Sequence, residues 1–157
     1  MDHEYISPFI ASVADTFTTM LAATVKSKEA VRETNGITLA DVNAAIDLTG
    51  SVSGTIVVTL SDETAVKLVS RMLYMELSEV DNDVIDGVSE LLNMMAGGAK
   101  ANLPGGQENP IHLGIPHVFQ DQTEFSSSIK EWMRVPFSSE LGHLDLWVAL
   151  KADEIDK

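Results

Sequence analysis

Apolar and polar residues alternate along this chain with two different periods, and the switches between them mark out the elements. From about Ser7 to Thr24, Phe9, Val13, Phe17, Met20 and Leu21 recur at helical spacing, which predicts an amphipathic first helix. Val25 to Glu33 fits a strand after it. Val42–Thr49 then alternates with period two, with Ile46 and Leu48 on one face, and Thr55–Leu60 repeats the pattern through Ile56, Val58 and Leu60. Between them, "GSVSG" reads as a hairpin turn. "SDETAVKLVSRMLYM" opens as a capped helix, with Ser61 as N-cap and Asp62 and Glu63 in the first turn, where the helix dipole favours acids. A further helix is expected from about Glu79, capped by Ser78 and running to about Lys100, until "NLPGGQENP" breaks it. Extended stretches follow around Ile111–Phe119 and Ser128–Val135. In the closing "GHLDLWVALK", Leu144, Leu146, Val148 and Leu150 point one way while His143, Asp145 and Trp147 point the other.

Strands joined by hairpins, with helices grouped together, predict an α+β fold in which an antiparallel sheet packs against long helices. No break in composition divides the 157 residues, so one domain over residues 1–157 is expected. "AGGAKAN" lacks the spacing of a phosphate-binding loop and follows a helical pattern rather than a strand.

Composition narrows the chemistry. The balance of 10 Lys+Arg against 24 Asp+Glu, without any basic cluster, argues against nucleic acid and against an anionic membrane surface. The apolar runs fall far short of the ~20 residues that a membrane span requires. With no cysteine and no basic-then-apolar leader in "MDHEYISPFI", the expected setting is the cytoplasm. His112 and His117 lack a third convergent ligand and make a poor metal site. Met72, Met94 and Met95 read as core filler. Trp132 and Trp147 lie on strands, either in the core or along a dimer seam.

The chemistry-bearing candidates lie in "DGVSELLNMMAGGAK". At about 100° per residue, with Asp86 at zero, Glu90 falls near 40°, Asn93 near −20°, Gly97 near 20° and Asn82 near −40°. Val84, Val88, Leu91, Leu92, Met95 and Ala99 occupy the opposite side, so the polar stripe faces outward. Every surface helix has a solvated face, and that is the plain reading of this one. Two features depart from it. A mid-helix Asn costs a few tenths of a kcal/mol against Ala, and an interior Gly such as Gly97 costs about 1 kcal/mol. Together they leave a short, polar face that another macromolecule can approach closely. Gly98 fits a loose helix end.

The pattern Asp86-x3-Glu90-x2-Asn93, followed after twenty-two residues by Pro116, resembles the signature of the CheC/CheX/FliY phosphatases. "ELLNMMAGGAKANL" and "ISPFIASVADTFTTML" also look like that family, and the likeness spans essentially the whole chain. The resemblance implies a CheC-like fold and a phosphatase acting on the aspartyl phosphate of a CheY-like response-regulator receiver, in chemotaxis or related two-component signalling. It assigns the catalytic pair to Glu90 and Asn93, with Glu90 docking on the receiver's lysine and Asn93 orienting water. Asp86, Gly97 and Pro116 take supporting roles. No cofactor is expected on this chain, and Mg2+ is expected on the receiver. In the first helix, Thr19 and Ala22 stand where a second motif beginning at Asp15 would need Glu and Asn. One site per chain resembles the CheX branch, whose members form homodimers. The alternative is a receiver-binding or flagellar-switch module that hydrolyses nothing.

Overall fold

The two strongest alternating stretches form the centre of one antiparallel sheet. The structure, a computed structural model, describes residues 3–105, 110–120, 125 and 127–152. β3 (Val42–Gly50) and β4 (Val52–Leu60) pair with Ile46 opposite Ile56, so the hairpin turn is tighter than "GSVSG". β8 (Gly142–Ala152) lies on the other side of β4, with Val148 opposite Ile56. A Cβ at Gly54 would lie 1.9 Å from the Ala149 carbonyl oxygen, so only glycine lets these two strands meet there. β7 (Trp132–Ser139) pairs with β8, and with β1 (Val25–Ser27) and β5 (Ile111–Leu113) at the ends the strand order is β1-β7-β8-β4-β3-β5.

Each sheet edge carries two short strands. Val25–Glu33 is not one strand but β1 (Val25–Ser27) and β2 (Val31–Glu33), both paired with β7. Ser27 pairs with Phe137 and Val31 with Arg134, so residues 28–30 face only 135–136. Pro136 in that gap has no N–H to donate to an edge partner, and the extra residue bulges out. β5 (Ile111–Leu113) and β6 (His117–Phe119) repeat the arrangement on β3. There residues 114–116 face 46–47, and Gly114 N–H donates to the Asp47 carbonyl at 2.8 Å. The stretch expected at Ser128–Val135 pairs only from Trp132. Before it, Ile129 N–H turns back to Ser127 Oγ and Trp132 Nε1 donates to the Ile129 carbonyl.

Alternation sends Val42, Ala44, Ile46, Leu48, Ile56, Val58, Leu60, Leu144, Leu146 and Val148 to one face. Three helices cover it. α1 (His3–Leu21) buries Phe9, Val13 and Phe17, starts earlier than expected and stops at Leu21 because Ala22 turns left-handed at φ 49°. α2 (Asp62–Leu73) begins as read, with Ser61 Oγ accepting from Thr64 N–H. α3 (Asn82–Lys100) begins later than expected. Its N-cap is Asp81, whose carboxylate accepts from Val84 N–H, while the chain through Ser78 is held back by a Leu77 N–H bond to Ser70 Oγ. Gly98 is no loose end, since α3 continues to Lys100.

The opposite face carries a smaller cluster of Val57, Trp132, Trp147 and Ala149. Both tryptophans are core residues of this cluster, and the Trp147 indole N–H donates to Thr59 Oγ1 at 3.1 Å. Met95 is buried in the main core, Met72 packs against it and Met94 is half-buried.

Candidate functional site

The helical projection places the stripe where it stands in the structure. Asp86, Glu90 and Asn93 are exposed on α3, whereas Val84, Val88, Leu91, Leu92, Met95 and Ala99 are buried beneath them. Among the described residues, none of the three exposed side chains has a hydrogen-bond or ion-pair partner in this chain. Asp86 and Glu90 are like charges at i,i+4, which weakens a helix slightly unless a cation joins them. The Asn93 carboxamide offers one acceptor and two donors to whatever meets the surface.

Gly97 lies on the stripe, and Pro116 lies between two strands that pack against α3. Gly97 is half-buried, and among the described residues a Cβ there would meet only Leu113 Cδ1, at 3.9 Å. Leu113 ends β5, and β5 and β6 both pack against α3. Pro116 sits in the bulge between those strands, beside an Ile115 that is 91% exposed. Three features escaped the sequence reading: the exposed Ile115 and the tight packing of α3 at Gly87 and Gly98. A Cβ at Gly87 would lie 2.5 and 2.7 Å from the two methyls of Val69 on α2. The available signal was two further helix-interior glycines off the polar stripe.

Charge is distributed unevenly around this helix. Between Arg71 and Lys100 the chain carries Glu76, Glu79, Asp81, Asp83, Asp86 and Glu90 and no base. All six acids are exposed, and none joins an ion pair among the described residues. No group of three or more His, Asp or Glu among the described residues could hold a metal ion. His117 is exposed and stacks on Phe119, with ring centroids 5.7 Å apart. Cavities of about 740, 730 and 440 Å3 lie elsewhere and are not lined by the stripe. No described helix is long and apolar enough to cross a membrane.

An antiparallel sheet with short paired edge strands, three helices on one face and an acid-and-amide stripe on α3 defines a CheC-like α+β protein. A CheC-like superfamily protein from Shewanella sp. PV-4 superimposes with a TM-score of 0.82 at 24% identity, over 97% of this chain and 100% of that one. A CheX from Borrelia burgdorferi, solved in complex with CheY, BeF3 and Mg2+, gives 0.79 at 21% identity over 96% and 99%. The family described as "Chemotaxis phosphatase CheX" matches residues 42–137, a span that contains Asp86, Glu90, Asn93 and Pro116, and the chain belongs to it. The CheY-P phosphatase CheX of Thermotoga maritima is 30% identical over 98 residues, 62% of this chain and 63% of that protein's length.

Proposed function

We propose that this protein is a phosphatase that hydrolyses the aspartyl phosphate of a CheY-like response-regulator receiver in chemotaxis or related two-component signalling. The observation that carries the proposal is the exposure of Glu90 and Asn93 side by side on α3, with no partner among the described residues. The family match and the Thermotoga maritima relative support it, as does the Borrelia burgdorferi relative's complex with CheY.

An acyl phosphate already has a good leaving group, and phosphoryl transfer proceeds through a loose transition state in which positioning and charge stabilisation dominate. A strong base is unnecessary. Asn93 holds a water in line with the scissile bond, much as a glutamine does in GTPases. The water oxygen bonds to phosphorus, the bond from phosphorus to the aspartyl oxygen breaks, and inorganic phosphate and a free carboxylate result. Glu90 docks on the receiver's active-site lysine, and partial desolvation of that pair makes it stronger than an exposed salt bridge. Asp86, at i−4 from Glu90, adds a second charge toward the same lysine. Gly97 keeps the face low, Pro116 shapes the neighbouring bulge, and Mg2+ arrives on the receiver as part of the substrate. The reading includes a cytoplasmic setting and a homodimer.

The test is phosphate release from a phosphorylated receiver. Asn93→Ala is expected to reduce release to the receiver's own slow rate while binding to a BeF3-activated receiver stays within about twofold, since the amide acts mainly on the transition state. Release by Asn93→Ala at the parent's rate would sink the mechanism. Tight receiver binding by the parent without turnover would favour the alternative of a non-catalytic assembly module.

A further inference from the structure

α3 rests on its two helical neighbours at glycines. Gly87 meets α2, where a Cβ would lie 2.5 and 2.7 Å from the Val69 methyls and 3.1 Å from Met72 Cε. Gly98 meets α1, where a Cβ would lie 2.4 Å from Ser12 Oγ and 3.4 Å from Ser12 Cβ. Eleven residues apart, the two glycines project within about 20° of each other at 100° per residue, and about 100° from the Asp86 stripe. Glu90 and Asn93 lie between these two contacts along the helix.

Ser12 makes a bond that the other α1 hydroxyls do not. Thr18 and Thr19 turn back to carbonyls of their own helix, at Ala14 and Asp15. Ser12, buried at 8% exposure, instead crosses to α3 and donates to the Met95 carbonyl at 2.7 Å. Met95 stands two residues beyond Asn93. A single small side chain on α1 thus both fills the gap above Gly98 and ties α3 down at that distance.

We propose that Ser12 is a positioning residue for the reaction: with Gly98 and the Met95 carbonyl, it sets how closely α3 lies on α1 and so the height at which Asn93 meets the receiver. This rests on the phosphatase reading above. The lever arms give a magnitude. A new methyl at Gly98, 2.4 Å from Ser12 Oγ, is relieved either by rotating the Ser12 hydroxyl, which breaks its bond to the Met95 carbonyl, or by moving α3 about 1 Å at Gly98, since carbon–oxygen contacts normally exceed ~3.3 Å. With the hydroxyl kept on Met95, the helix moves. With Gly87 as pivot, a rigid helix carries roughly 0.5 Å of that to residue 93 and roughly 0.3 Å to residue 90. A 1 Å misplacement costs about 100-fold in rate, so about 0.5 Å costs about tenfold, and it falls on the water-positioning amide more than on the docking carboxylate.

The experiment compares the parent, Gly98→Ala and the double variant Ser12→Ala with Gly98→Ala. Gly98→Ala is expected to lower the turnover number for phosphate release about tenfold at saturating receiver, with affinity for BeF3-activated receiver within about twofold. The double variant should recover turnover to within about twofold, because only Ser12 Cβ at 3.4 Å then faces the new methyl. The Asn93 side-chain amide resonances of the 15N-labelled protein should shift in Gly98→Ala and return in the double variant. A loss of stability alone would not produce that pattern. Parental turnover with parental Asn93 resonances in Gly98→Ala would overturn the proposal, as would a folded double variant as slow as the single one. Should Gly98→Ala fail to fold, Ser12→Ala decides: it removes both the spacer above Gly98 and the bond to the Met95 carbonyl, so turnover at least about threefold below the parent's with shifted Asn93 resonances supports the proposal, and parental turnover with parental resonances overturns it. If the parent itself releases no phosphate, the phosphatase reading fails, and the amide resonances still decide whether Ser12 and Gly98 position Asn93.

Discussion

Gly97→Ala should make the protein more stable and a poorer partner for its receiver, and the structure fixes the sign of each effect separately. Replacing an interior helical Gly by Ala gains about 1 kcal/mol, provided the new methyl has room. At Gly97 it has room, since among the described residues its one neighbour is Leu113 Cδ1 at 3.9 Å, an ordinary contact. For a chain of this size about 1 kcal/mol raises the melting temperature by ~2–4 °C. Gly87→Ala is the internal control, because the same intrinsic gain meets methyls at 2.5 and 2.7 Å on a Val69 that has 0% exposure. Overpacking of that kind costs about 1–3 kcal/mol, so this variant should melt at or below the parent. On the stripe, however, the Gly97 methyl stands one turn beyond Asn93, on the face that meets the receiver in the proposed complex. Forcing two packed surfaces apart by a methyl again costs about 1–3 kcal/mol, a loss of affinity of about fivefold to a hundredfold. Thermal denaturation followed by circular dichroism reads the first effect, and titration with BeF3-activated receiver reads the second. A Gly97→Ala protein that melts below the parent would contradict the open space beside residue 97. One that is more stable and binds the receiver as well as the parent would remove the reason for a glycine on this face.

Glu90→Gln keeps the shape and removes the charge, so receiver affinity should fall about tenfold at low ionic strength and become less sensitive to salt than the parent's; an unchanged salt dependence on titration at about 50 and 300 mM NaCl would exclude Glu90 as the docking charge. Tyr74 caps α2 in the left-handed region at φ 55° and is 92% exposed, a conformation that costs a non-glycine residue about 1–2 kcal/mol. Tyr74→Gly should therefore raise the melting temperature, and a fall would mean that contacts of the ring outweigh the backbone strain. Burial raises the Asp145 carboxyl above its ordinary 3.8, against the lowering pull of Arg134. The folded chain then binds that proton more tightly than the unfolded one. Relative to Asp145→Asn, the parent should lose stability as pH rises from near 3.8 through the folded value. Chemical denaturation of both proteins across that range checks it, and parallel curves would refute it.

The long elements were legible because their periodicity is set by what they bury. β3, β4 and β8 alternate against one core, and α3 turns residue spacing into direction, which is why the projected stripe coincides with the exposed residues. What could not be read depends on partners distant in sequence. Ser78 and Asp81 are equally good caps in isolation, and the choice is made where Ser70 and the α2 terminus hold the preceding loop. The division of Val25–Glu33 and of Ile111–Phe119 follows from one extra residue against β7 and against β3, which exists only once the register does. The second cluster, holding both tryptophans, requires knowing that loop residues Ile37, Phe125 and Ile129 return to the far face. Gly98 was ambiguous because a glycine at a fraying end and a glycine touching a side chain of a neighbouring helix look alike until that neighbour is placed.

The same reasoning explains why α1 does not carry a second stripe. Its positions equivalent to Asp86, Glu90 and Asn93 are Asp15, Thr19 and Ala22, and the difference goes beyond side-chain identity. Thr19 Oγ1 is already committed to the Asp15 carbonyl at 2.9 Å. Position 22 is not helical at all, since α1 ends at Leu21 and Ala22 has φ 49°. Substituting Glu and Asn at positions 19 and 22 would leave the amide off the rod, pointing away from the carboxylate. In α3, by contrast, the helix runs seven residues past Asn93 to Lys100, and that extension contains Gly98. An amide that holds a water within a fraction of an ångström, as the proposed mechanism asks of Asn93, needs support on both sides along the helix axis. α3 provides it with Gly87 before the stripe and Gly98 after it, whereas α1 has no helix left beyond Leu21 on which a second contact could act.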